Sequence, residues 1–353
     1  MNKKILMTGN EAMAFGAIRA GCSFYAGYPI TPQNEIPAYM ALEMPKKRGI
    51  FIQAESELAA INMVFGAAAA GVRAMTSSSS PGISLKQEGI SYIAGAGLPA
   101  VILNVMRGGP GLGNIWPAQS DYFQATRPGH GDYHCIVLAP ASVQEAYDMM
   151  PIVFDLADKY RNPVMVLSDG MLGQMMEPVL VHSSSFMVHS KKLPVKSWAL
   201  TGCRGRNPNI VKSFYMAEGD LERWNLKLQE KYKTIRKREQ RAEEIFTEDA
   251  KIIIVAYGTM ARIAKSAVIK LREKNKRVGL IRPISLWPFP EDIFKRIAQN
   301  AKRKTLLVVE MSYGQMLEDV KLAVNGRIKV GFLGRAGGGV PREEEIIRAL
   351  GKL

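Results

Sequence analysis

Gly49-Ile-Phe-Ile-Gln-Ala-Glu-Ser-Glu57-Leu-Ala-Ala60 is the stretch on which the reading of the fold turns. Its first half is apolar and branched and reads as a strand from Gly49 to Glu55. Its second half opens a small-residue helix from about Ser56 to Ala70. Glu57 falls at the join. A carboxylate there either complements the helix dipole or serves a ligand, since open α/β sheets bind ligands beyond the carboxyl ends of their strands. Just upstream, Tyr28-Pro-Ile-Thr-Pro-Gln33 ends another strand at a Pro-x-Thr-Pro corner, which places the Thr31 hydroxyl at the mouth of a sheet.

Working outward, Lys3-Lys-Ile-Leu-Met7 reads as a strand, Asn10 as the cap of a helix from Glu11 to Ala20, and Gly21 as its stop. Ser23 to Gly27 and Val72 to Thr76 read as strands, with a helix from about Asn34 between them. Ser77-Ser-Ser-Ser-Pro-Gly82 then opens a helix from about Ile83 to Ala96. Its hydroxyls and backbone N–H groups either hold a polar ligand or only make the turn. Pro99-Ala-Val-Ile-Leu-Asn-Val-Met106 is nearly all apolar, as in a strand buried on both faces of a parallel sheet. Arg107 ends it beside Gly108-Gly-Pro-Gly-Leu-Gly113. Its guanidinium either grips a carboxylate bidentately or solvates a strand end. The glycine loop lacks the spacing of a dinucleotide fingerprint or a P-loop.

A helix over Gln119 to Gln124, a strand Cys135 to Ala139, a helix Ser142 to Tyr160 and a strand Pro163 to Ser168 complete the first alternation. Residues 1–180 therefore read as one doubly wound parallel-sheet domain. From 181 to 249 the periodicity lapses, with Pro194, Pro208 and several glycines, and the stretch reads as an inter-domain crossover with Trp198 and Trp224 as anchors. It ends in a mixed-charge helix bearing Leu221, Trp224, Leu228, Tyr232 and Ile235 at helical spacing. The alternation resumes over 250–353 as a second, smaller parallel sheet. Arg282-Pro-Ile-Ser-Leu-Trp-Pro-Phe-Pro290 reads as a rigid loop that forms a packing surface.

The net charge of +15 suggests nucleic acid until it is mapped. Residues 1–180 hold 12 Lys and Arg against 14 Asp and Glu, so the excess belongs to the second half and gathers in the mixed-charge helix. No recognition motif accompanies it, and nucleic-acid binding is not expected. Cys22, Cys135 and Cys203 are too scattered for a disulfide framework, a zinc site or an iron–sulfur cluster. His130, His134, His182 and His189 do not form a metal-ligand pattern. No apolar run approaches the length of a membrane span, and the N-terminus enters a strand directly, so the expected location is the cytoplasm.

Several motifs in one order then carry a family resemblance: Tyr28-Pro-Ile-Thr-Pro32, Glu55-Ser-Glu-Leu-Ala-Ala60, Thr76-Ser-Ser-Ser-Ser-Pro-Gly82, Met106-Arg-Gly-Gly-Pro110, Arg282-Pro-Ile-Ser-Leu-Trp-Pro288 and Glu310-Met-Ser-Tyr-Gly-Gln315. Over essentially its whole length the chain resembles the α subunit of the 2-oxoacid:ferredoxin oxidoreductases, most of all the branched-chain (2-oxoisovalerate) type. The resemblance implies an α/β fold of two doubly wound parallel-sheet domains, a pyrimidine-binding domain for thiamine diphosphate and a domain like the C-terminal domain of transketolase. It implies that Glu57 hydrogen-bonds N1′ of the aminopyrimidine, as only an acid can in support of proton transfer there. It further implies that Thr31 and Arg107 hold the 2-oxoacid, and that Tyr28, Pro29, Ile30 and Ser80 help to bind the cofactor. The family reaction is oxidative decarboxylation: CO2 leaves, electrons pass through iron–sulfur clusters to ferredoxin, and coenzyme A takes the acyl group.

A complete thiamine enzyme also carries a Gly-Asp-Gly motif with a downstream Asn pair for Mg2+ and the diphosphate. Here Ser168-Asp-Gly170 imitates it without the first glycine. The resemblance therefore implies a β subunit that carries the diphosphate-binding domain, with Mg2+ and 4Fe–4S clusters on partner chains, among them γ and ferredoxin-like δ subunits. Three readings stay open from sequence: this catalytic subunit, with 2-oxoglutarate as the alternative substrate; a non-catalytic scaffold in which Glu57 and Arg107 are structural; and a nicotinamide-linked dehydrogenase.

Overall fold

The computed structural model describes residues 3–181, 193, 195–299 and 304–353; His182, His189 and Pro194 lie outside the described residues. The first half runs β1 (Lys3–Thr8), α1 (Gly9–Arg19), β2 (Phe24–Gly27), α2 (Glu35–Glu43), β3 (Ile50–Gln53), α3 (Glu57–Ala69), β4 (Ala74–Ser78) and α4 (Pro81–Gly95). It continues through β5 (Ala100–Met106), α5 (Tyr122–Thr126), β6 (Ile136–Leu138), α6 (Val143–Tyr160), β7 (Pro163–Asp169), α7 (Gly170–Gln174) and β8 (Met176–Val181). Then follow α8 (Asp220–Arg238), β9 (Ala242–Ile245), β10 (Ile252–Val255), α9 (Gly258–Glu273), β11 (Val278–Pro283), β12 (Ser285–Trp287) and α10 (Glu291–Gln299). β13 (Thr305–Glu310), α11 (Gln315–Val324), β14 (Lys329–Gly334) and α12 (Glu343–Leu350) end the chain.

Two α/β sheets result. The larger has the order β12-β6-β7-β5-β4-β2-β3, parallel except for β12. Its centre is the apolar pair β5 and β7, in which every residue is buried. Fully burying one such side chain, Ile102 or Val166, contributes about 1.5–3 kcal/mol. Right-handed crossovers put α2 and α6 on one face and α3 and α4 on the other. The smaller sheet has the order β14-β13-β10-β11-β9, parallel except for β9 at its edge.

Four local expectations are corrected. The first strand does not enter the main sheet: β1 pairs antiparallel with β8 in a separate ribbon, because its Lys3 and Lys4 are exposed and only Met7 is buried. Asn10 does not cap α1. Thr8 does, in a reciprocal capping box with Glu11, which leaves Asn10 buried and bonded to the Pro32 carbonyl at 2.8 Å. Gln119 to Asp121 precede the short helix α5 rather than begin it, and Gln119 bonds the Tyr257 carbonyl and the Met311 N–H. The proline-rich segment after Arg282 is a strand. β12 adds to the edge of the larger sheet, and Trp287 stacks on His134 at 4.4 Å. Trp224 does anchor α8, by donating to the Gly95 carbonyl at 2.6 Å.

Candidate functional site

The strand order reverses between β2 and β4. β2 leads outward to β3, and the chain then returns past β2 to begin β4. α2 and α3 consequently leave on opposite faces, and a crevice opens between the carboxyl ends of β2 and β4, where doubly wound sheets bind ligands. Tyr28 to Thr31 follow β2, Glu57 follows β3, Ser79 and Ser80 follow β4, and Arg107 follows β5. Four strand ends thus bring all the sequence candidates to one edge.

Glu57 begins α3 but does not cap it. Ser56 takes that role in extended backbone, its Oγ accepting the Ala59 N–H at 3.1 Å. Glu57 is only 6% exposed, whereas a carboxylate that merely answered the dipole could stay in water. Among the described residues no hydrogen-bond donor or ion-pair partner reaches its carboxylate. Gly82 explains how close the chain comes: a Cβ there would lie 2.5 Å from Glu57 Oε1 and 2.1 Å from Ser78 Oγ. Beside this carboxylate, at the end of β4, the hydroxyls of Thr76, Ser78 and Ser79 are buried without partners. Buried polar groups left unanswered are costly and uncommon, so their clustering at a switch point marks a place built for something else.

Arg107 is buried too. Its guanidinium donates to the Thr31 carbonyl and the Leu112 carbonyl, each at 3.0 Å, and its Nε–H has no acceptor. Among the described residues no carboxylate pairs with it. The exposed Thr31 hydroxyl has no partner among the described residues, so the two candidates for holding a 2-oxoacid meet through main-chain bonding, with polar capacity to spare. Ser80 joins them: its Oγ accepts the Arg107 N–H at 3.0 Å and donates to Asp121 at 2.6 Å. Asn104 completes the cluster by accepting from the Ser80 N–H and donating to Asp121. Ser80 sits at φ 25, ψ −83, a strained conformation for a residue with a Cβ. Burial pushes the Asp121 carboxyl up, opposed by bonds from Ser80 and Asn104 and by the field of Arg107. Tyr28 and Pro29 are exposed and Ile30 half-buried at the rim, without side-chain hydrogen bonds.

Two clefts flank this edge. One, of about 840 Å³, is lined by Ser80, the Gly108–Gly111 loop, Asp121, Tyr313 and Gln315. The other, of about 650 Å³, is mostly apolar and is lined by Thr31, Pro32, Ile115, Trp116, Met171 and Met175. Among the described residues no Lys or Arg lines either. Asp169 of the Gly-Asp-Gly-like segment is fully engaged: Oδ1 accepts the N–H groups of Met171 and Leu172 as the cap of α7, and Oδ2 accepts the Thr259 hydroxyl at 2.6 Å. Among the described residues no group of three or more His, Cys, Asp or Glu is placed to hold a metal ion.

Sequence reasoning missed Asn104, Asp121, Gln33 and Lys86. Asn104 had a signal, as the single polar residue in an apolar strand. Gln33 is buried and accepts from the Ser77 hydroxyl. Lys86 is fully buried on α4, and its Nζ donates to the Glu57 carbonyl at 3.5 Å.

A switch-point crevice with a buried, unanswered carboxylate places the chain among α/β proteins whose sheet edge is arranged to take a ligand. Comparison narrows the class. The family described as "Pyruvate flavodoxin/ferredoxin oxidoreductase, thiamine diP-bdg" matches residues 15–245, and "Pyruvate:ferredoxin oxidoreductase core domain II" matches 250–346. The chain is 50% identical to ketoisovalerate oxidoreductase subunit VorB of Methanothermobacter marburgensis, over 98% of this chain and 96% of that protein. It is 40% identical to 2-oxoglutarate synthase subunit KorA of Archaeoglobus fulgidus, over 92% of each. A solved 2-oxoglutarate:ferredoxin oxidoreductase from Magnetococcus marinus, with 2-oxoglutarate, coenzyme A and succinyl-CoA bound, superposes with a TM-score of 0.84 at 28% identity. That alignment covers 99% of this chain and 65% of that one. A split-gene transketolase shares the fold, with a TM-score of 0.61 at 13% identity. The chain belongs to the 2-oxoacid:ferredoxin oxidoreductase family and is an oxidoreductase subunit with a thiamine diphosphate-binding region. The groups around Glu57 fit an aminopyrimidine, since a buried carboxylate suits a ring nitrogen and unpartnered hydroxyls suit an exocyclic amine.

Proposed function

We propose that this chain is the α subunit of a branched-chain 2-oxoacid:ferredoxin oxidoreductase, which converts the oxoacid and coenzyme A to acyl-CoA and CO2 and passes the electrons to ferredoxin. The observation that carries it is the donorless, buried Glu57 at the switch point of the larger sheet. Thiamine diphosphate, when bound, supplies the carbon nucleophile and electron sink that decarboxylation needs. Glu57 binds its aminopyrimidine nitrogen and moves a proton there. Ser80, with Tyr28, Pro29 and Ile30, shapes the cofactor wall. Arg107 and the Thr31 hydroxyl orient the substrate carboxylate, and the low polarity of the crevice strengthens that attraction.

Because Asp169 is committed to α7 and Thr259, the diphosphate and its Mg2+ fall to a β subunit. The 4Fe–4S clusters fall to β and to γ and ferredoxin-like δ chains, and the assembly works in the cytoplasm. The division into a pyrimidine-binding domain over 1–180, a crossover over 181–249 and a transketolase-like domain over 250–353 is part of the same reading. A branched aliphatic substrate is favoured over 2-oxoglutarate by the apolar cleft beside Thr31. The experiment is the relative rate of the assembled complex on 2-oxoisovalerate, 2-oxoglutarate, pyruvate and an aryl pyruvate. The expected order puts 2-oxoisovalerate first. A preference for 2-oxoglutarate would overturn the substrate assignment, and reduction of NAD or NADP by the isolated chain with a 2-hydroxy acid would overturn the class.

A further inference from the structure

Outside the crevice, the buried arginines among the described residues are paired with carboxylates. Arg73 bonds Asp155 and Asp158, and Arg282 bonds Glu145 and Glu243. Lys86 is different. It is the only lysine among the described residues with no exposure to solvent, and no ion pair answers it. Its single bond is the long one to the Glu57 carbonyl, in the first turn of α3. Leaving a cation uncompensated in the interior costs stability, and a methionine of similar length would fill the same space without that cost. Packing therefore does not explain the residue, but its neighbour does.

We propose that Lys86 is a positioning residue for Glu57, holding the first turn of α3 against α4 through its bond to the Glu57 carbonyl and so fixing where the Glu57 side chain starts into the crevice. The proposal rests on the assignment of Glu57 as the cofactor-facing acid. Glu57 is the charged side chain whose field acts on Lys86. On α4 itself, Glu88 accepts from Tyr92 at the surface, and Asp169 at the end of β7 is taken up by α7 and Thr259.

Burial has pulled the Lys86 ammonium down to about 8, against the opposing field of Glu57. The cationic form thus dominates below about 8 and fades above it. Lys86→Met and Lys86→Gln both remove the charge, and the glutamine can still donate to the Glu57 carbonyl.

In the assembled complex Lys86→Met is expected to lower kcat about tenfold and to leave KM for the 2-oxoacid unchanged, whereas Lys86→Gln, which keeps a donor for the Glu57 carbonyl, should recover most of that loss. The Tm of Lys86→Met should hold or rise. An unchanged kcat in Lys86→Met, or equal losses in both variants, would overturn the proposal, and so would failure of both variants to fold, which would make the lysine structural. Glu57→Gln separates this from the underlying reading: if that variant keeps wild-type activity, the role of Glu57 itself is wrong. If Glu57 proves essential while Lys86→Met keeps its kcat, only the present inference falls.

Discussion

Both sheets place a buried glutamate at the carboxyl end of a parallel strand, and the two are treated in opposite ways. Glu310, at the end of β13, accepts from the Ser312 hydroxyl at 2.6 Å and from the N–H groups of Met316 and Leu317 at 3.1 and 3.3 Å. Burial pushes its carboxyl up while those bonds hold it down. Every lone pair has a structural use, and α11 is capped as a result. Glu57 has the same topological address, yet Ser56 does its capping and no donor meets its oxygens. The contrast extends to the surroundings. Among the described residues, buried side-chain atoms without partners occur around β4 and β5, on α1, α6 and β7, and beneath α8, but none lies in 250–353. A satisfied sheet edge stabilises the fold, whereas an unsatisfied one has given up stability for a ligand.

The largest test of that contrast exchanges each acid for its amide. Glu57→Gln should lower kcat of the assembled complex roughly a hundred- to ten-thousand-fold, with the melting temperature unchanged. Glu310→Gln should do the reverse, costing about 1–3 kcal/mol in thermal unfolding while the folded complex keeps its kcat. Retention of near wild-type activity by Glu57→Gln would leave the scaffold reading standing.

The buried arginines sharpen it next. Arg107 meets only carbonyls, so Arg107→Met should raise KM for the 2-oxoacid roughly 10- to 100-fold by removing a charged donor. Arg282 ties Glu145 of the larger sheet's α6 to Glu243 of the smaller sheet's β9. Its side chain is 10% exposed, and Arg282→Met should cost about 3–5 kcal/mol of stability and leave KM alone. Steady-state kinetics beside thermal unfolding separates the two.

Much of this was legible before the structure. Parallel strands such as Ala-Val-Ile-Leu-Asn-Val-Met over 100–106 are buried on both faces, so an apolar run announces them, and the strand ends deliver Thr31, Glu57, Ser80 and Arg107 to one edge. What could not be read depends on long-range pairing. A three-residue strand like β12 exists because it pairs with β6, far away in sequence, where Trp287 stacks on His134, and nothing local in Ser-Leu-Trp says so. β1 looked like a sheet strand because it is one, paired elsewhere. The Thr8 cap was a different failure: Thr8-x-x-Glu11 is a capping-box spacing visible in the sequence, and Asn10 drew the assignment away from it. Asp121 and Lys86 were out of reach, because their meaning lies in what α3, α4 and α5 bring against them.

Backbone strain gives the finest test. The turn before α11 takes its left-handed residue as Gly314, at φ 99, where a missing Cβ makes the conformation cheap. The turn before α4 instead uses Ser80 at φ 25, and tolerates it because the hydroxyl is held by Asp121 and the Arg107 N–H. Ser80→Ala and Ser80→Gly both lose those bonds, but only the glycine relaxes the backbone. The glycine variant should therefore unfold about 1–2 kcal/mol higher than the alanine variant, within the range of one strained residue. Gly314→Ala should go the other way, losing about 1 kcal/mol against wild type. Were the two Ser80 variants equally stable, the turn before α4 would carry no strain, and the difference between the two sheet edges would rest on their polar groups alone.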